Sequence, residues 1–180
     1  MNTIREIWDR SQNLYSELPA VRWLEKKEIK DKSYAELGED IISVRKGLSA
    51  KDLAGVHIAL IGTASVSWIS SYLGITTGNN VAVPLDAGLP AEDLVNLLND
   101  SDSEALFLSP KRKDILEGLK EKCPKIRYIW LLTEDAAEGV ETFGDLIKEA
   151  AGQDDTEGLP AEEIATLIYT SGTTGRSKGV

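Results

Sequence analysis

Cysteine and histidine are almost missing from this chain of 180 residues: Cys123 and His57 are each the only one of their kind. A lone cysteine closes no intramolecular disulfide, and without a Cys or His partner at metal-ligand spacing it begins no zinc or redox motif. Cys123 therefore reads as a small apolar filler near a strand. His57, at the head of an apolar run with no motif partner, reads as structural. Long apolar runs are lacking too. The stretch "MNTIREIWDR" is broken by Arg5, Glu6, Asp9 and Arg10, which argues against a secretory signal or a membrane span there. Positive charge is in short supply: 20 Lys and Arg against 30 Asp and Glu leave a net charge of −10, which repels nucleic acid and anionic lipid. Internal repeats and low-complexity tracts are likewise absent. Together these absences predict a cytoplasmic globular protein.

What is present is enough for one core, since 42% of the residues are hydrophobic. Ile4, Ile7, Trp8, Leu14, Tyr15 and Leu18 recur at helical spacing and predict an opening helix with one buried face, ended by Pro19. Between Val21 and Ser33, two short runs around a charged middle suit a small exposed hairpin. Ser33 with Glu36 makes a capping box, and Tyr34, Leu37, Ile41, Val44 and Leu48 then mark one helical face.

From His57 the runs "HIALIG", "NVAVPL", "EALFLS" and "IRYIWLL" start about two dozen residues apart, and "ATLIYTS" follows after a longer interval. Helix candidates stand between them: Val66, Ile69, Tyr72 and Leu73; a segment opened by Pro90 with Leu94, Leu97 and Leu98; one capped by Ser109 and Pro110; and one near Thr142 to Ala151. Near-continuous apolar strands alternating with amphipathic helices predict an α/β fold, a mostly parallel sheet with helices on both faces. The segment "AGQDDTEGLPAEE" reads as a polar surface connection, with Asp154, Asp155 and Glu157 solvated rather than metal-binding. Asp86 reads as a turn cap. Trp8, Trp23, Trp68 and Trp130 are expected to pack the core.

The chemistry-bearing stretch is "LIYTSGTTGRSKGV", Leu167 to Val180. Gly172, Gly175 and Gly179 allow positive φ with amides turned inward, Ser171, Thr173 and Thr174 add hydroxyl donors, and Lys178 adds a mobile positive charge. A polyphosphate suits such a loop, and ligands bind beyond the carboxyl ends of parallel strands. The order differs from the Walker loop, because the lysine lies three positions beyond Gly175 and a glycine follows it. It differs from the dinucleotide fingerprint G-x-G-x-x-G as well. A polar tail that merely follows a strand is the plain alternative.

"YTSGTTGRSKGV" resembles the phosphate-binding signature of the adenylate-forming superfamily: AMP-forming acyl-CoA synthetases, firefly-type luciferases and peptide-synthetase adenylation domains. Upstream, "KSYAELGEDI", "VHIALIG" and "NNVAVPLDAGLPAEDLVNLLNDSDSEALFLSP" resemble, in order, early elements of that family's N-terminal domain. Ser177, where the family more often has proline, and the pair Asn79 and Asn80, where a Gly-Ala step is more usual, depart from the pattern. The resemblance implies a truncated N-terminal subdomain of that fold: residues 1–50 as helix, hairpin and capping helix, 55–170 as parallel core, 170–180 as phosphate-binding loop, and a mobile C-terminal domain absent.

It further implies a ligase that uses ATP with Mg2+ to turn a small-molecule carboxylate into an acyl-adenylate and pyrophosphate, then passes the acyl group to coenzyme A. Thr170, Ser171, Gly172, Thr173, Thr174 and Gly175 would cradle the β- and γ-phosphates and Lys178 would neutralise them, with no catalytic nucleophile and no metal ligand among these residues. The 180 residues alone are then expected to be inactive and to hold no ATP tightly, with the loop anchored only on its Thr170 side and mobile after Gly172. The other readings are a stand-alone nonenzymatic α/β binding module derived from the same family and an adenylation domain of a peptide synthetase. Apolar surface left uncovered by missing polypeptide would drive self-association, and sedimentation is expected to show concentration-dependent association, a strict monomer at high concentration contradicting it.

Overall fold

Local sequence rules start nearly every element of the computed structural model, which describes residues 3–135, 137–160, 163–171 and 177–180, leaving aside the side chains of Ser171, Ser177 and Lys178. Helix α1, Ile4–Tyr15, opens on a Thr3–Glu6 capping box. Strands β1, Pro19–Glu25, and β2, Glu28–Ser33, form an antiparallel hairpin turned at Lys26 and Lys27, both at positive φ. Helix α2, Tyr34–Ala50, starts at the Ser33–Glu36 capping box that the spacing predicts.

There follow β3, His57–Ile61; α3, Val66–Thr77; β4, Val81–Leu85; α4, Ala91–Asp100; β5, Ala105–Leu108; a 3-10 helix, Pro110–Leu116; α5, Leu119–Lys122; β6, Tyr128–Leu131; β7, Glu141–Thr142; and α6, Phe143–Glu149. Two short strands, β8, Tyr169–Ser171, and β9, Ser177–Gly179, come last.

The central sheet has the order β4-β3-β5-β6-β7 and every pair in it is parallel. Its strands are covered on both faces, as the uninterrupted apolar runs require. On one face Ile58, Leu60, Phe107 and Trp130 meet Val44 and Leu48 of α2, Ile75 of α3 and Phe143 and Leu146 of α6. On the other, Ala59, Ile61, Val83 and Leu106 meet Leu94 and Leu98 of α4, Ile115 and Cys123. Each fully buried phenylalanine contributes about 2 kcal/mol of transfer free energy. The α/β reading of the sequence is thus the observed fold.

Several local expectations change. The buried face of α3 is made of Ser70, Ser71, Gly74, Ile75, Thr76 and Thr77 rather than Val66, Ile69 and Tyr72. Small residues let α2 come close: a Cβ on Gly74 would sit 2.5 Å from a Val44 methyl. Helix α1 buries none of its residues, and Ile7 and Leu14 are 54% and 61% exposed. Trp130 is fully buried in the core and Trp68 packs half-buried against it, whereas Trp8 lies half-buried against Tyr34. His57 is structural, its Nδ1 donating to the Ser101 carbonyl at 2.6 Å. Asp86 caps a turn by accepting from the Gly88 amide at 2.8 Å. Burial pushes the Cys123 thiol up, as suits a filler.

The largest correction concerns "AGQDDTEGLPAEE". Asp155, though partly exposed, is an ion-pair partner rather than an acid left to solvent. Arg45, 3% exposed in the middle of α2, donates from Nε and Nη2 to its two carboxylate oxygens at 2.8 and 2.5 Å and from Nη1 to Thr77 Oγ1 at 3.0 Å. Arg5 of α1 adds a bond to Asp155 at 2.9 Å and another to the Thr156 carbonyl. The interior position of Arg45, flanked by Val44 and Gly47, required a carboxylate, and only a chain segment more than a hundred residues away provides it. Among the described residues, no helix is long and apolar enough to cross a membrane.

Burial alone would raise the Asp155 carboxyl, but the hydrogen bonds and charge of Arg45 and the charge of Arg5 hold it below the usual carboxylate range. A depressed folded pKa stabilises above the unfolded value near pH 4 and is lost as pH falls through the lower folded value. Acid unfolding of the wild type is therefore expected to steepen below about pH 4. Asp155→Ala should remove that component and, by stranding Arg45, cost about 2–3 kcal/mol, or roughly 5–10 °C in Tm, with Asp154→Ala near neutral by thermal melting at pH 7.

Candidate functional site

The stretch expected to hold phosphate does not continue the parallel sheet. Its first residues lie along the outer edge of β4: Ala82 donates to the Ala165 carbonyl and accepts from the Leu167 amide, and Thr166 makes a single parallel bridge with Ala82. Successive residues of a strand point their backbone groups to alternate neighbours, so Pro84 faces the same outer edge as Ala82. With no N–H to offer Leu167, Pro84 ends the pairing after one bridge. The fifth member of the sheet is instead β7, at the far edge beside β6, a two-residue strand with no apolar run to announce it.

Released from β4, the chain turns into the antiparallel pair β8–β9, with Tyr169 opposite Gly179, Thr170 opposite Lys178 and Ser171 opposite Ser177. Reciprocal bonds of 2.9 Å between Ile168 and Val180 extend the ladder outward. Thr170, Ser171 and Lys178 are thereby brought onto adjoining strands, whereas Gly172, Thr173, Thr174 and Gly175 lie outside the described residues. The loop is anchored on both sides, because β9 pairs along the whole of β8, and the expected one-sided anchor is corrected.

Gly179 also takes a different role from the one its composition suggests. It is not among the glycines at positive φ, which are Gly55, Gly118, Gly139 and Gly152 among the described residues. Its lack of a side chain makes room across the ladder: a Cβ there would lie 2.9 Å from Leu167 Cδ1 and 3.5 Å from the Tyr169 ring. Side chains that sequence reasoning passed over hold the approach to this hairpin. Tyr72, stacked on Trp68 at a centroid distance of 5.4 Å, meets Thr166 Oγ1 through its hydroxyl at 3.0 Å. Tyr169 donates to Asp100 Oδ2 at the end of α4, at 2.6 Å. Burial raises the Tyr169 phenol, and the bond and charge of Asp100 raise it further, so it stays protonated as a donor. A proline inside an apparent core strand was the one sequence signal of this edge arrangement.

At the sheet's topological switch point, between β3 and β5, Gly62 lies beside Trp68, Ser109 and Leu132, and a Cβ there would meet Leu132 at 3.0 Å. Among the described residues no group of three or more His, Cys, Asp or Glu side chains is arranged to hold a metal ion. What the hairpin offers chemically is a run of hydroxyls, backbone amides and one lysine, a set suited to an anion with several oxygens.

Known proteins resemble this chain along most of its length. The profile described as "AMP-binding enzyme" matches residues 8–180. Malonate–CoA ligase of Arabidopsis thaliana is 30% identical over 131 residues, covering 71% of this chain and 21% of that protein. Surfactin synthase subunit 1 of Bacillus subtilis is 28% identical over 179 residues, 99% of this chain and 4% of that one. An anthranilate CoA ligase solved with anthranoyl-AMP superposes with a TM-score of 0.88 at 21% identity, over 99% of this chain and 34% of its own. The chain thus spans about a third or less of the length of these relatives.

Gly179→Ala is expected to push on Leu167 and Tyr169 and to cost about 1 kcal/mol, a drop of roughly 2–4 °C in Tm, with faster amide exchange at Lys178. Unchanged melting and exchange would show that the Tyr169–Gly179 contact carries no weight.

Proposed function

The chain belongs to the AMP-binding enzyme family, and from that premise we propose that it is part of an ATP-dependent carboxylate-activating ligase. The observation that carries the reading is the β8–β9 ladder, which sets Thr170 opposite Lys178 on the two strands joined by the Gly172–Arg176 loop. In the proposed reaction a carboxylate oxygen attacks the α-phosphorus of ATP. The bond to the bridging oxygen breaks, pyrophosphate leaves, and an acyl-adenylate forms. A thiol then attacks the acyl carbonyl and AMP departs. Charge grows on the leaving pyrophosphate, so fixed donors at its oxygens lower the barrier.

In this proposal the hydroxyls of Thr170, Ser171, Thr173 and Thr174 and the amides around Gly172 and Gly175 hold the β- and γ-phosphates, and Lys178 neutralises them. The donor set fits a triphosphate. It does not fit Mg2+, for which the described residues supply no cluster of acidic ligands. Similarity to a malonate–CoA ligase supports the thiol of coenzyme A as acceptor, without selecting the acid activated. Adenine, ribose and acyl contacts would come from further polypeptide.

Titration of the isotope-labelled chain with inorganic tripolyphosphate and with ATP tests the reading. The amides of Thr170 to Gly179 are expected to shift, saturating near millimolar concentration, with Lys178→Ala about tenfold weaker and added salt weakening both. Shifts confined to other parts of the chain would sink the proposal. Carboxylate-dependent exchange of labelled pyrophosphate into ATP is expected to be absent for the 180 residues alone. Exchange by the purified chain would show that it needs no further polypeptide.

A further inference from the structure

A phosphate-holding hairpin of this size cannot orient itself. Its sheet has two strands of three residues each, and a lone two-stranded pair is marginal in water. Backbone pairing to the central sheet stops at the Ala82–Leu167 bond, and the Tyr72–Thr166 bond acts before β8 begins. Beyond that point the side-chain hydrogen bond that joins β8 to a helix, among the described residues, is the one from Tyr169 to Asp100. Helix α4 is a firm partner, because Leu94 and Leu98 are buried in the core.

Two features mark this contact as more than incidental. Asp100 is the last residue of α4, where a carboxylate opposes the helix dipole and two turns of exposed surface were available for it instead. Gly179, directly across the ladder from Tyr169, has no side chain to contest the ring. Ring and hydroxyl therefore fix different things. The ring over Gly179 fixes the register, since a slip by one residue would put Lys178 or Val180 under it, and the hydroxyl fixes the tilt of the pair against α4.

We infer that Tyr169 is a positioning residue, clamping β8 and β9 onto the end of α4 so that Thr170 and Lys178 face a bound polyphosphate in one geometry. The inference rests on the phosphate reading above, and the residue touches no phosphate itself.

The test uses the whole chain with inorganic tripolyphosphate as probe and compares Tyr169→Phe, Asp100→Ala, Asp100→Asn and Lys178→Ala. Tyr169→Phe and Asp100→Ala should each bind roughly fivefold more weakly, the worth of one partly exposed hydrogen bond, with a displaced Lys178 amide resonance before any ligand is added. Asp100→Asn keeps an acceptor oxygen and should restore wild-type affinity. Melting temperatures of all four should stay within about 3 °C of wild type, the spread expected of surface changes. Wild-type affinity in Tyr169→Phe, beside a weakened Lys178→Ala, overturns the clamp and leaves the phosphate reading standing. A loss of affinity in Tyr169→Phe matched by a larger loss of melting temperature overturns it as well, because a structural role then suffices. Failure of tripolyphosphate to bind, or indifference to Lys178→Ala, overturns the phosphate reading and the clamp together.

Discussion

The bond between Arg45 and Asp155 is the constraint on which the path of the chain toward its hydroxyl- and glycine-rich stretch depends. A guanidinium 3% exposed in the centre of α2 needs a carboxylate, and the two oxygens of Asp155 meet it at 2.8 and 2.5 Å. With Arg5 joining from α1, three elements close on one acid. The segment after α6 has no regular structure between residues 151 and 160, so its path rests on separate contacts such as this one. Pinned at Asp155, it continues through the Leu159 amide on Gly78 and reaches the edge of β4.

From that edge the geometry of the hairpin follows by exclusion. Ala82 accepts the incoming strand, Pro84 refuses it, and the chain must turn away after one bridge. What turns away is the stretch richest in hydroxyls and glycine. Its two strands are held by each other, by Gly179 beneath Tyr169, and by the hydroxyl of Tyr169 on Asp100. The central sheet serves as a fixed wall, and the donor-rich segment approaches along its β4 edge.

Much of this was legible from patterns of a few residues. The capping box at Ser33, the proline opening α4, the helix starting near Thr142 and the apolar runs of β3 to β6 depend on neighbours within a turn or a strand, and the structure has them where the spacing puts them. The hydroxyl-rich word at Thr170 to Lys178 was legible for the same reason. The two-residue β7 was not, because so short a strand leaves no alternation to read. The buried face of α3 was not either: Ser70, Gly74 and Thr77 are inside because α2 lies close, a fact about a partner rather than about the helix. Asp155 looked like any acid in a polar connection.

The sequence by itself determined the class of fold, since that rests on residue types repeated at short, fixed spacing. Only the tertiary structure decided which acid pairs with Arg45, where pairing along β4 ends and what Gly179 is for. Those depend on contacts such as Arg45 with Asp155 and Tyr169 with Asp100, separated by 110 and 69 residues, and no local spacing encodes a partner at that distance.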